Sequence, residues 1–216
     1  MLPCILMLSV VACIIAFILI ATRLEKKRTE AMQRAGAAMG LTFCAEGPGD
    51  SLASFAGLYL FSQGREGYVT NFMRGETNET ELSIFDYEYR TGSGRKAGIT
   101  KQTVICILSD KLHLPDFSLR PEHIFHKIGA FFGFQDVDFE AHPEFSSHYL
   151  LRGSNEEAIR AQFHQGVLCF FDGQPGLCTE GSGNRLVFYR ANQRVKPKDL
   201  RSFMDEGLHM ASLFMK

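Results

Sequence analysis

Hydrophobic and polar positions fall into four regimes along this chain. From Leu2 to Ala21 no side chain is charged, and twenty such residues in a helix rise about 30 Å, the thickness of a bilayer's hydrocarbon core. From Leu24 to Met39 a thin stripe (Leu24, Ala31, Ala35, Ala38, Met39) sits among good helix formers and stops at Gly40, which predicts a polar stalk helix. A third regime, to about Leu119, reads as strand after strand. Its clearest part runs from Glu81 to Glu122, where Phe85, Tyr87 and Tyr89 alternate with Asp86, Glu88 and Arg90, the period of a half-buried strand. The returning run Val104–Leu108 is apolar on both faces, as expected of a central, doubly covered strand, and Thr91–Gly98 is a polar, glycine-rich hairpin tip. Leu58–Phe61 and Gly67–Met73 are predicted as two earlier strands.

In the fourth regime strands alternate with helices. Phe117–Arg120 is extended, and Pro121 with Glu122 opens a helix whose apolar positions are Ile124, Phe125, Ile128, Phe131 and Phe132. Tyr149–Arg152 is a strand, and Ser154–Glu157 has the pattern of a capping box for a short helix burying Ala158, Ile159 and Phe163. Val167–Phe171 and Arg185–Arg190 are predicted strands, the latter after a Gly181–Asn184 turn. A last helix runs from near Pro197 to about Phe214, burying Leu200, Phe203, Met204, Leu208 and Ala211. The expected fold is α+β: a transmembrane helix over 1–22, a basic juxtamembrane helix over 23–40, and one domain over 41–216 with a mainly antiparallel sheet and helices packed on it.

Charge adds an orientation. Between Arg23 and Arg34 five basic residues stand against two acidic ones, while beyond Arg34 there are 18 basic against 22 acidic residues. The cluster Arg23, Lys26, Lys27 and Arg28 therefore marks the edge of the span, and the positive-inside rule puts that side, with the domain, in the cytoplasm and the N-terminus outside. The mildly acidic domain counts against nucleic acid as a partner. The expected partners are the lipid bilayer and another membrane or cytoplasmic protein.

Four segments in order, FDYEYRTGSG, LPDFSLRPE, Asp136-Val-Asp-Phe139 and PEFSSHYLLRG, resemble a family of bacterial single-pass membrane-anchored proteins of unknown function. The resemblance implies an anchor and a domain and brings no activity, cofactor or site residue with it.

No catalytic constellation stands out. His123 and His126 are three apart, a spacing that suits two metal ligands, but it equally describes an exposed helix face opposite Ile124, Phe125 and Ile128. Asp136, Asp138 and Glu140 read as a solvated acidic loop anchored by Phe139. The six cysteines include no CxxC pair, and in a cytoplasm Cys169 and Cys178, nine residues apart, stay thiols. Gly92–Gly98 is followed by a strand, whereas phosphate-binding glycine loops precede a helix. Arg90, Arg95, Lys96 and Lys101 around this tip are candidate anion or headgroup contacts. No cofactor or metal is expected. The function expected is a membrane-tethered, non-catalytic binding or scaffolding module; the alternative is a membrane-associated hydrolase whose site is dispersed in sequence.

Overall fold

A computed structural model of the chain describes residues 2–50, 52–77, 79–92, 94, 97–122 and 135–215, leaving aside the side chains of residues 2–6, 8 and 135. Among these, nine strands form one fully antiparallel sheet in the order β1-β2-β3-β4-β9-β8-β5-β7-β6. The strands are β1 (Thr42–Glu46), β2 (Arg65–Thr77), β3 (Thr80–Thr91), β4 (Gly98–Ser109), β5 (Leu114–Pro121), β6 (Gln135–Asp136), β7 (Tyr149–Gly153), β8 (Leu177–Gly183) and β9 (Arg185–Arg190). The helices are α1 (Leu2–Ala38), α2 (Tyr59–Ser62), α3 (Pro143–His148), α4 (Glu156–Gln162), α5 (Gln165–Asp172) and α6 (Leu200–Phe214). The α+β class and the antiparallel sheet agree with the sequence.

The predicted hairpin is present as β3 and β4, in unbroken register from Thr80↔Ser109 to Thr91↔Gly98. Alternation sends Phe85, Tyr87 and Tyr89 to one face and Leu82 and Ile84 to the other, so each face gains its own core. Against Ile84, Ile105 and Ile107 pack α3 to α6 and the second half of α1, through Met32, Phe145, Ile159, Phe171 and Phe203. Against Phe85, Val104 and Val187 pack Phe55, Leu58 and Leu60.

That second layer corrects one expectation. Leu58–Phe61 is not a strand: Tyr59–Ser62 is a single helical turn that, with the 3-10 turn Ala53–Phe55, closes the face opposite the main helices. Val167–Phe171 is likewise helical, inside α5, because Val167, Leu168 and Phe171 all face the core at helical spacing. A short apolar run does not distinguish the two periods. The preceding helix, α4, is capped by Asn155 rather than Ser154, the Asn155 side chain accepting from the Ala158 N–H at 3.0 Å. Pro121 ends β5, paired with Tyr149, where its missing N–H costs little. The helix expected to follow, with His123 and His126, lies outside the described residues.

The first two sequence regimes are one helix. α1 runs without interruption from Leu2 to Ala38 and ends at Gly40 (φ 75°), where Leu41 N–H donates to Gly36 O and Gly40 N–H to Ala37 O, a Schellman closure. Its docking stripe is Arg28, Met32, Gly36 and Met39, with Met32 fully buried; Leu24, expected on that stripe, is exposed. Among the described residues no helix is long and apolar enough to cross a membrane; the predicted span begins among side chains, 2–6 and 8, that lie outside them.

Candidate functional site

Two buried clusters of charge organise the domain, one on each face of the sheet. The first joins α1 to the hairpin. Asp86 sits on β3 with the polar alternation, yet it is 4% exposed, because α1 covers that face. Arg28 donates from Nε to Oδ2 and from Nη2 to Oδ1, both at 2.8 Å, a bidentate pair. Thr103 Oγ1 donates to Oδ1 at 2.8 Å and Asn71 Nδ2 to Oδ2 at 2.9 Å. Asn71 reaches inward from a bulge in β2, where its φ of 52° is one that asparagine tolerates. The remaining Arg28 donor goes to Val195 O at 2.9 Å, and Val195 N–H returns to Thr103 Oγ1 at 2.9 Å. The stalk, the hairpin and the loop before α6 are thereby tied at one point.

The other predicted basic residues are placed differently. Arg23, Lys26 and Lys27 are exposed on α1, whereas Arg28 turns into the domain. Arg90 is exposed and pairs with Glu66 at 3.2 Å; Lys101 pairs with Glu88 at 2.7 Å. Arg95 and Lys96 lie outside the described residues. One turn before Arg28, Glu25 receives a bidentate Arg194 at 2.8 and 2.9 Å. That hydrogen bond, ahead of the opposing effect of burial, holds the Glu25 carboxyl below its usual range.

The second cluster lies under α2. Glu180 on β8 is 1% exposed and pairs with Arg120 of β5 at 2.5 Å. Its Oε2 accepts from Leu60 N–H at 2.9 Å, and the Tyr189 hydroxyl donates at 3.2 Å to Oε1, the oxygen that Arg120 also holds. Arg120 also donates to Ser118 Oγ at 3.1 Å and lies 3.8 Å from the centroid of the Tyr59 ring. Gln63 satisfies both of its neighbours with its amide oxygen 3.2 Å from the Arg120 Nη atoms and its nitrogen donating to the Tyr89 hydroxyl at 3.0 Å. Burial works against the Arg120 charge, and Tyr189 with Glu180 outweighs it, so its pKa lies above arginine's ordinary value. The same burial pushes the Cys178 thiol up to about 12 and Tyr189 well above its normal value.

Beside this cluster opens a cleft of about 420 Å³, between α2 and the ends of β5, β7 and β8. Tyr59, Asp116, Ser118, Arg152, Glu180 and Arg185 supply its polar wall, and Leu58 and Phe117 its apolar one. Each cation in that wall already has contacts: Arg152 pairs with Asp136, and Arg185 donates to Ala56 O at 3.1 Å and to Ser182 Oγ at 3.0 Å. The Asp136 expected in a solvated acidic loop is thus held by Arg152 across the β6–β7 pair. Among the described residues no three His, Cys, Asp or Glu side chains converge as a metal site would require. Cys169 is an exposed free thiol, and Cys106 and Cys178 are buried free thiols.

No protein-family model matches the chain, and no curated protein does. Among solved structures, the chain is similar to the crystal structure of the mycobacterial trehalose monomycolate transport factor A, TtfA. The TM-score is 0.62 at 14% identity, over 86% of this chain and 91% of that one. What the two share at that identity is the fold.

Sequence reasoning missed both ion pairs. The partners lie 58 and 60 residues apart, beyond any local pattern. Locally Asp86 reads as one more position of the polar alternation with Glu88 and Arg90, and Glu180 stands among small residues, so neither is marked in sequence as buried.

Proposed function

We propose that this chain is a single-pass membrane protein whose sheet domain, on the cytoplasmic side, is a non-catalytic binding or scaffolding module held close to the bilayer. The carrying observation is the surface of α1. Val10, Val11, Ile14, Ile15, Phe17, Ile18, Leu19 and Ile20 are all exposed, so this part of the helix is apolar on every side and the domain covers none of those eight. A helix of that kind needs an apolar surrounding. With Leu2–Leu6 and Leu8 of the sequence it has spanning length. Exposed Arg23, Lys26 and Lys27 follow it, the side that the positive-inside rule assigns to the cytoplasm.

The charges around the cleft support binding over catalysis. Glu180 is held by Arg120, Tyr189 and the Leu60 N–H, and Arg152 and Arg185 are engaged with Asp136 and with backbone carbonyls. Such a wall offers shape and hydrogen-bonding edges to a partner. A chain of the same fold is named as a transport factor, which is in keeping with a module that handles or recruits another molecule at a membrane.

Thiol labelling in intact cells tests the topology. Cys44 and Cys169 are exposed and Cys106 and Cys178 buried, so a membrane-impermeant reagent should leave Cys44 and Cys169 untouched until the membrane is opened, then label both. Labelling before lysis would place the domain outside. Recovery of the chain from cells without detergent would remove the anchor.

A further inference from the structure

Two contacts, with one longer-range charge interaction in keeping with them, fix the direction of the β3–β4 hairpin relative to α1. Gly36 sits against Met73, whose ladder partner is Ile84. Arg28 holds Asp86. Glu25 is close enough to Lys101 to feel its charge, and Lys101 is paired in register with Glu88. As α1 is followed back toward its apolar half, from 36 to 28 to 25, the strand advances from 84 to 86 to 88. Helix and hairpin therefore point to the same end of the molecule.

The lengths then decide where that end lies. Ala21, the last residue of the apolar run, precedes Arg28 by seven residues, about 10 Å of helix. Beyond Asp86, β3 continues for five residues to Thr91, about 16 Å of strand. The hairpin therefore reaches about the level at which α1 enters the hydrocarbon.

The side chains at that end fit the location. Outside α1, the large apolar side chains left exposed among the described residues are Tyr68 and Ile99, at 54% and 52%. Tyr68 is opposite Glu88 and Ile99 opposite Arg90 in the ladders, so both project from the face on which Asp86 meets α1. Of the described residues in Arg65–Tyr68 and Glu88–Lys101, Arg65, Arg90 and Lys101 are basic and Glu66 and Glu88 acidic; the sequence between Gly94 and Ala97 adds two more basic residues. The pair Arg90–Glu66 is solvent-exposed and Lys101–Glu88 partly so, and such pairs exchange easily for another anion.

We infer that the hairpin end is a second membrane contact: Ile99 and Tyr68 enter the interface of the leaflet from which α1 emerges, with Arg90 and Lys101 among its anionic headgroups. The inference rests on the anchor proposed above. An aliphatic and a tyrosine side chain flanked by Arg90 and Lys101 match that interface in polarity and in charge. With Arg28 fastening the stalk, two contacts hold the domain in one orientation on the bilayer and prevent it from swinging about its anchor.

The chain contains no tryptophan, so single tryptophans report position in the full-length protein reconstituted in vesicles containing anionic lipid. Ile99→Trp should show blue-shifted emission that is quenched by bromine-labelled acyl chains and protected from aqueous iodide. Asp110→Trp, at the far end of β4, should show the opposite, and Phe17→Trp reports the anchor independently. If Phe17→Trp is quenched by the labelled lipid while Ile99→Trp is quenched by iodide alone, the second contact is wrong and the anchor stands. If neither is quenched by lipid, the anchor fails and the contact with it.

Discussion

Removing the guanidinium of Arg28 while keeping the aliphatic stem, as in Arg28→Met, isolates the fastening of α1 to the sheet. The variant loses two charge-assisted bonds to Asp86 and one to Val195 O, and it leaves a carboxylate 4% exposed without its cation. Breaking a buried pair from one side costs about 3–5 kcal/mol. Here the low end, about 3 kcal/mol, is expected, because Asp86 keeps the Thr103 and Asn71 donors and the Arg28 side chain, 13% exposed, is within reach of water. Urea unfolding of the full chain in detergent micelles measures the loss. Arg28→Met combined with Asp86→Asn should cost less than the sum of the two single changes, by about 0.5–3 kcal/mol, because the second change removes the stranded charge. A loss below about 1 kcal/mol for Arg28→Met, typical of surface pairs, would show that the stalk is seated by its apolar stripe alone and would refute this account of the clamp.

Two further outcomes follow from the packing and the charges. Phe117 is 5% exposed and meets Phe163 edge-on at 5.1 Å and Phe214 at 5.7 Å, so Phe117→Ala should destabilise the domain by about 3–5 kcal/mol, read as a shift of the urea midpoint; wild-type stability would make the segment a surface motif. Glu25, its carboxyl held low by Arg194, takes up its proton at lower pH in the folded chain than in the unfolded one, so its contribution is present above about 4.5 and is lost as pH falls through the folded value; the acid limb of the stability profile should flatten in Glu25→Gln, and an unchanged limb would mean the Arg194 pair does not form in solution.

The parts of the fold visible in the sequence are those where burial follows period. The β3–β4 hairpin shows a period of two and α6 a period near 3.6, and both were located within a few residues. β8 went unseen although it lies between β5 and β9 in the sheet, because Leu-Cys-Thr-Glu-Gly-Ser-Gly has no hydropathic signature. Its polar residues are buried on terms set by distant partners: Thr179 Oγ1 donates to Val187 O at 2.8 Å, and Glu180 meets Arg120. At Gly181 a Cβ would come within 2.4 Å of the Phe117 ring, so the absence of a side chain there is a packing requirement of β5. α5 failed for the opposite reason, an apolar run that fits either period until its neighbours are known. The candidate site was less legible than the fold, since the predicted basic set mixes exposed Arg23, Lys26 and Lys27 with the inward-facing Arg28, and nothing local separates them.

Arg28 shows why a buried charge is worth keeping at that position. A well-packed apolar pair would serve stability as well as an ion pair, since desolvation offsets much of the attraction. Specificity of seating is another matter. The rest of the docking stripe consists of Met32, Ala35, Gly36 and Met39, small or flexible side chains that, apart from the close Gly36–Met73 approach, distinguish only weakly between registers one turn apart. A turn is 5.4 Å, enough to carry Arg28 out of reach of Asp86, Thr103 and Val195 O together and to strand a buried carboxylate. The ion pair thus penalises every register but one, and in doing so it sets the height of the hairpin end relative to the apolar half of α1. On the anchor proposed above, that height, more than any single contact in the cleft, would set which surface of the domain faces the bilayer and which remains open to a partner.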